Sequence, residues 1–162
     1  MTLEEAVKFC EDYLKEQSIK YPQLKGWKVV INNRKGSFGT CCERKKEIAL
    51  SSILIPNCTD DSIWNTITHE TAHAIVGVRH VHDNVWRRQH ILLGGDGKRT
   101  NGNESYKIDA DIVHQNIYKF VAVCKFCGEK HYRQKRSTKK YSCNCGGKYF
   151  NKERILEFKI NQ

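Results

Sequence analysis

The 162-residue chain has little proline and methionine and no long run of apolar residues. It holds two prolines, and its one methionine is Met1. A helix that crosses a bilayer needs about 20 predominantly apolar residues, so no membrane partner is predicted. Residues 1–5 are acidic, and an amphipathic stretch rather than an apolar core follows them, so no secretory signal is predicted. We therefore expect an intracellular protein, in the cytoplasm or nucleoid, or inside a host cell if the source is viral.

Four of the eight cysteines form two close pairs, Cys124 with Cys127 and Cys143 with Cys145. Thiols stay reduced inside cells, where such pairs bind metals rather than form disulfides. Four thiolates in two close pairs are typical of a closed tetrahedral zinc site. One residue rather than two separates the second pair, and His131 is an alternative to one thiolate. The other cysteines are predicted to be buried or free thiols: Cys10, Cys41, Cys42 and Cys58.

Residues 69–73 read HETAH, the HExxH pattern of zinc hydrolases. On a helix, the i, i+4 spacing places His69 and His73 on one face, where two neutral imidazoles can bind one metal ion. A catalytic zinc needs at least one more protein ligand and an open position for water. Glu70 is the candidate general base that takes the proton from that water. The pentapeptide therefore predicts a catalytic zinc site.

The third ligand is open on spacing alone. His80 and His82 stand seven and nine residues after His73, which does not fit the metzincin pattern H-E-x-x-H-x-x-G-x-x-H. That class also needs a methionine turn, which Met1 cannot supply. A gluzincin would use a downstream glutamate, and Glu104 is a candidate with imperfect spacing. His80, His82 and Glu104 all remain alternatives on these grounds.

The pattern as a whole resembles the SprT-like metallopeptidase family, in which HExxH is followed by a histidine, an aromatic residue and then a C-terminal zinc ribbon. His82 stands four residues before Trp86, as in the family's pattern. Residues 48–51 resemble the strand before the active-site helix, and residues 92–95 resemble the end of the helix after the third ligand. The resemblance covers most of residues 3–150, and it favours His82 as the third ligand.

The resemblance implies an α+β fold, with a zincin-like metallopeptidase domain at residues 1–117 and a small β zinc ribbon at 118–162. It implies two zinc ions: a catalytic one at His69, His73 and His82, and a structural one at the four paired cysteines. Family members with an assigned role cut proteins that are covalently trapped on DNA, which implies a zinc endopeptidase in DNA repair. Tyr106 and His80 are candidates for stabilising the oxyanion.

Local patterns predict the elements that carry these residues. Apolar residues at helical spacing, among them Ile63, Ile67, Ala74, Ile75 and Val78, predict a helix that begins near residue 60, carries the motif and buries this apolar face. Strand and turn signals predict a small antiparallel sheet in the first domain. The further predicted elements are a helix at 3–17, strands at 27–32, 37–42 and 47–51, a helix at 84–93 and a glycine-rich loop at 94–105.

Positive charge is concentrated near the cysteine pairs. Residues 119–162 hold twelve Lys and Arg against three acidic residues, a surplus of nine in a chain of net charge +10. Cations that meet phosphates and exposed rings that stack on unpaired bases predict a non-specific nucleic-acid surface that favours single-stranded DNA. A solvated hairpin that only aids solubility is the alternative. The residues predicted to bind nucleic acid are Arg133, Lys135, Arg136, Lys139, Lys140, Tyr132 and Tyr141.

Two functions from different classes follow. The first is a zinc-dependent endopeptidase that the ribbon holds on DNA. The second is a nucleic-acid-binding zinc protein whose peptidase site is idle or acts on something else. Glu70 favours the first, because a binding module does not need a general base between two metal ligands.

Overall fold

The computed structural model describes residues 1–100 and 103–161. Residues 101 and 102 of the predicted glycine-rich loop lie outside this range. The architecture is a mixed α+β fold, as predicted, and it divides into two compact units, Met1–Lys107 and Ile108–Gln162. The sequence-based division at residue 117 differs from this one by a short helix that belongs to the second unit.

The first unit contains helix α1 at the chain start, three strands and then helices α2 and α3. A capping box fixes the start of α1, because the Thr2 side chain accepts from the Glu5 N–H while the Glu5 carboxylate accepts from the Thr2 N–H. Within this unit the elements are α1 (Leu3–Lys20), β1 (Lys28–Asn32), β2 (Gly39–Cys42), β3 (Glu47–Ser51), α2 (Asp60–Val76) and α3 (Asn84–Leu92).

The sheet of the first unit has the order β1-β3-β2, and it is mixed rather than antiparallel. β3 runs antiparallel to β2 and parallel to β1. The predicted antiparallel sheet was therefore wrong for the pairing of β1 with β3. β3 takes the centre because its side chains, including Ile48 and Leu50, are almost all buried. Two reversals of chain direction leave β1 and β3 pointing the same way, which makes their pairing parallel.

Helix α2 has clear start and stop residues. The Thr59 side chain accepts from the Ser62 N–H at the N-terminus, and Gly77 ends the helix with φ at 89°. Ile63 and Ile67 are buried, as predicted, and pack with α1 and the sheet in the core. Val78 is 42% exposed, so its predicted burial was wrong, because the helix ends two residues earlier.

The second unit consists of a short helix and a small sheet around the cysteine pairs. Its elements are α4 (Ala110–Ile117), β4 (Phe120–Val123), β5 (Lys130–Arg133) and β6 (Lys159–Ile160), and β4 lies between β5 and β6 with antiparallel pairing to both. Two of the cysteines, Cys124 and Cys143, belong to its small buried core. A core of this size usually needs a metal or crosslink for stability. In the described parts of both units, no helix is both long and apolar enough to cross a membrane.

Candidate metal sites

Three histidines converge at the C-terminal half of α2. His69 and His73 lie one turn apart on the helix, and His82 returns to them from the loop before α3. The His82 Nε2 lies 3.1 Å from the His69 Nε2 and 3.3 Å from the His73 Nε2. The turn that brings it back includes Val81 at φ 46°, a conformation that β-branched residues rarely adopt.

The spacing of these nitrogens fits a metal ion. Two nitrogens bound to one tetrahedral zinc at about 2.0–2.1 Å lie about 3.3–3.4 Å apart, close to the two separations at His82. Hydrogen bonding alone does not explain the arrangement, because a neutral His82 carries at most one proton on Nε2 and cannot donate it well to both neighbours. The histidine set, which we call the histidine site, is therefore consistent with zinc.

Burial keeps these imidazoles in the neutral form that metal binding requires. Loss of solvent lowers the pKa of His69 to about 3 and that of His73 to about 4, and the neighbouring histidines add to both shifts. Burial also lowers the pKa of His82. All three therefore offer a lone pair at neutral pH.

The Trp86 ring contacts all three histidines. It is fully buried, and its ring centre lies 4.6 Å from that of His69, 5.4 Å from that of His73 and 4.7 Å from that of His82. Its Nε1 donates to the His69 carbonyl at 3.4 Å. Trp86, the aromatic residue that follows His82 in the sequence pattern, thus packs against all three imidazole rings.

The alternative ligands have other positions. The His80 Nδ1 lies 2.9 Å from an Asp83 carboxylate oxygen, so this ring pairs with the residue that caps α3. Glu104 is exposed and is not in the histidine group among the described residues. Tyr106, considered for the oxyanion, packs edge-on against Phe38 at 5.4 Å.

Glu70 is buried beneath strand β2. Burial raises the pKa of its carboxyl to about 7, and a hydrogen bond from the Cys41 backbone N–H opposes this shift. Gly39 makes the close approach of β2 possible: a Cβ there would lie 2.9 Å from the Glu70 Cγ and 2.8 Å from the Thr66 Cγ2. The helix carries the carboxylate, and the strand fixes its position.

His90, a buried residue behind the histidine site, is not among the residues predicted from the sequence. Its ring centre lies 4.9 Å from that of Trp86 and 5.4 Å from that of His69, and its Nε2 lies 3.2 Å from the Thr68 Oγ1. A Cβ on Gly95 would overlap the His90 ring. The available signal was spacing, because His90 stands four residues after Trp86 and so lies on the same face of α3.

The four paired cysteines also come together, and we call them the cysteine site. The Cys124 and Cys145 sulfurs are 3.8 Å apart, and those of Cys127 and Cys143 are 3.6 Å apart. Sulfurs bound to one tetrahedral zinc at about 2.3 Å lie about 3.8 Å apart. The short spacing of the second pair therefore does not prevent a tetrahedral arrangement. His131 groups instead with Glu129 and Cys143.

Backbone donors favour the thiolate form of Cys124. The N–H groups of Cys127 and Phe126 lower the pKa of the Cys124 thiol to about 6. The thiolate is the form that binds metals. Away from this site, Cys10 and Cys58 are buried free thiols, and burial raises the pKa of each to about 12.

The residues predicted to bind nucleic acid fall into two groups. The charged residues of the loop after β5, which we call the basic loop, are exposed: Lys135, Arg136, Lys139 and Lys140. Arg133 is half-buried, with its guanidinium 3.8 Å from the Tyr141 ring centre and an N–H donated to the Tyr141 hydroxyl. Tyr132 is half-buried against the His114 ring at 5.2 Å. The expectation that Tyr132 and Tyr141 are exposed rings was wrong, because they pack within the second unit.

Other rings of the second unit are exposed instead. Tyr149 is 91% exposed, Phe150 53% and Phe126 58%. Lys148 and Lys152, both exposed, flank the Tyr149–Phe150 pair. These rings are not among the residues predicted to bind nucleic acid, because composition alone does not tell a packed aromatic ring from an exposed one.

The described residues thus define a mixed α+β protein with a histidine cluster and a cysteine cluster that are each consistent with zinc. The model of the SprT-like family matches residues 3–103, more than half of the chain, and the protein belongs to this family. The matched range includes the histidine site and ends before the cysteine site. Neither the comparison with curated proteins nor that with solved structures found a match. Family membership suggests a metallopeptidase-like first unit.

Proposed function

We propose that the protein is a zinc-dependent endopeptidase with a zincin-like first unit. This proposal rests on the convergence of three histidine Nε2 atoms. The buried Glu70 lies on helix α2 together with His69 and His73. His69, His73 and His82 would hold the zinc ion. A zinc ion bound here would lower the pKa of a water molecule and polarise the scissile carbonyl.

Glu70 is the general base in this proposal. Its carboxylate takes the proton from the attacking water and later passes it to the leaving amine. Burial raises the pKa of the Glu70 carboxyl in the metal-free protein, and a zinc ion bound beside it would lower this pKa again. The Cys41 N–H of β2 donates to the carboxylate, and Gly39 leaves room for the Glu70 side chain beside the strand.

The second unit would be a zinc ribbon that holds the enzyme on nucleic acid. Its cysteine site would bind a structural zinc ion, with no open position for water. The basic loop would contact phosphates, and Tyr149 and Phe150 would stack on unpaired bases. The substrates would then be proteins bound or crosslinked to DNA, with single-stranded DNA favoured.

Neutralising the basic loop tests the role in nucleic-acid binding. Changing Lys135, Arg136, Lys139 and Lys140 to glutamine should weaken binding to any DNA sequence and flatten the dependence of affinity on salt, because fewer counterions are released. Fluorescence anisotropy with single-stranded DNA over a salt series measures both. Cleavage of DNA-bound protein should fall in parallel, while cleavage of a short unstructured peptide should not.

A matched control removes the same charge from the first unit: Lys15, Lys20, Lys25 and Lys28, all exposed, are changed to glutamine. We expect this variant to keep the wild-type salt slope. Equal losses in both variants would mean that net charge, and not the basic loop, drives binding. If the wild-type protein shows no salt-sensitive affinity for DNA, the nucleic-acid role is wrong.

The substitution Gly39→Ala tests the support of Glu70 by β2. The added methyl group would push on the Glu70 and Thr66 side chains, so we expect kcat to fall by about tenfold or more while the zinc content stays at the wild-type level. Gly36→Ala is the matched control, since no atom lies within 4 Å of a Cβ there. Unchanged kcat in Gly39→Ala would show that β2 does not set the position of the carboxylate.

A further inference from the structure

Arg154 lies against the cysteine site and contacts it through its side chain. Its Nη1 donates to the Cys145 Sγ at 2.8 Å, and its guanidinium carbon lies 4.6 Å from the Phe126 ring centre. Gly146 leaves room for this arrangement, because a Cβ there would lie 2.5 Å from the arginine Nε and 2.9 Å from its Cζ. The guanidinium therefore packs closely against Phe126, which lies between the cysteines of the first pair, and against Gly146, which follows the second pair.

The main chain of Arg154 contacts the same part of the site. The Cys143 N–H donates to the Arg154 carbonyl at 3.0 Å. Arg154 thus contacts both members of the second cysteine pair. Its backbone carbonyl binds Cys143, and its guanidinium binds Cys145. In the first pair, the Cys124 sulfur accepts hydrogen bonds from the backbone N–H groups of Cys127 and Phe126.

Charge gives the contact a second effect. A divalent ion held by four thiolates carries a net charge of about −2, and Cys127 and Cys145 are the two exposed members of the site. A guanidinium bonded to a thiolate makes a charge-assisted hydrogen bond and offsets part of this charge.

We propose that Arg154 is a positioning residue for the cysteine site, which fixes Cys145 and slows the release of the bound metal. The proposal requires that the cysteine site binds metal, but it does not depend on peptidase activity. A role as a phosphate contact on the proposed nucleic-acid surface is the competing explanation for an arginine at this place.

The rate of metal release from the full-length protein distinguishes these roles. With Co²⁺ in place of zinc, the thiolate-to-cobalt charge-transfer band reports the cysteine site alone, because the histidine site has no sulfur ligand. After addition of excess EDTA, Arg154→Gln should lose this band about tenfold faster than wild type, as expected for one lost charge-assisted hydrogen bond. Lys152→Gln removes the same charge from an exposed neighbour and should release cobalt at the wild-type rate.

A second variant, Gly146→Ala, distinguishes the loss of the arginine contact from a folding defect in Arg154→Gln. Gly146→Ala keeps the arginine but fills the space beside it, and it should accelerate cobalt release in the same direction. Wild-type release rates in both Arg154→Gln and Gly146→Ala would overturn the proposal. So would an Arg154→Gln protein that loses affinity for single-stranded DNA while releasing cobalt at the wild-type rate, since Arg154 would then be a phosphate contact.

Discussion

Replacing Glu70 with glutamine is expected to reduce the rate of protein cleavage by about 10²–10⁴-fold, the usual contribution of a general base. The amide has nearly the same shape as the carboxylate but cannot accept the proton of the attacking water. Because Glu70 is not one of the converging ligands, the zinc content should not change. Cleavage of an unstructured protein, followed by gel electrophoresis, and elemental analysis of the same samples measure the two effects.

The control for this variant is its stability. A buried carboxyl that accepts a hydrogen bond from the Cys41 backbone can also support the fold, so the thermal midpoints of the variant and wild type must be compared. A folded, zinc-loaded Glu70→Gln protein that cuts as fast as wild type would remove Glu70 from the mechanism.

Replacing His82 with alanine is expected to remove the metal from the histidine site and to abolish cleavage. The remaining pair, His69 and His73, supplies two ligands, fewer than the three protein ligands of a catalytic zinc site. Elemental analysis should show one zinc ion fewer per chain than in wild type. Because the cysteine site belongs to a different compact unit, its metal should stay.

The matched variant is His80→Ala, two residues earlier in the same turn. The His80 ring pairs with Asp83 and not with the histidine site, so zinc content should remain at the wild-type level. The opposite result, loss of zinc in His80→Ala and retention in His82→Ala, would exchange the roles of the two residues.

Local chemistry made much of the first unit predictable. Helix α2 begins after a residue that caps it and ends at a glycine, and both signals lie within the sequence of the helix and its neighbours. The order of the strands was not predictable in this way. The central place of β3 depends on which strand buries most apolar surface after the chain has folded, and the pairing of β1 with β3 is a non-local consequence of that.

The same distinction applies to the histidine site. Helical spacing alone brings His69 and His73 together. His82 reaches them through an irregular turn that includes Val81 with a positive φ, and no periodic rule describes such a turn. Resemblance to the family therefore had to select His82, and the structure brings its Nε2 close to those of His69 and His73.

In the second unit, spacing predicted the cluster of cysteines but not the packing around them. Helix α4 has eight residues, and its buried residues are Ala110 and Val113. It is shorter than the window of about 11–18 residues over which a helical pattern is recognised in a sequence. Tyr141 is covered by Arg133, whereas Tyr149 is exposed, although both follow a lysine in the sequence. Which ring packs inside depends on the path of the chain around the cysteine site.

If the histidine site is a zinc peptidase centre, cleavage should be lost when the metal is removed and return when zinc is restored. Wild-type protein stripped of metal by a chelator should not cleave an unstructured protein, and zinc added back should restore cleavage. The activity should rise until the histidine site is filled, while Glu70→Gln protein treated in the same way stays inactive. Failure of fully zinc-loaded wild-type protein to cut any unstructured or DNA-bound protein would show that the histidine site is not a peptidase centre.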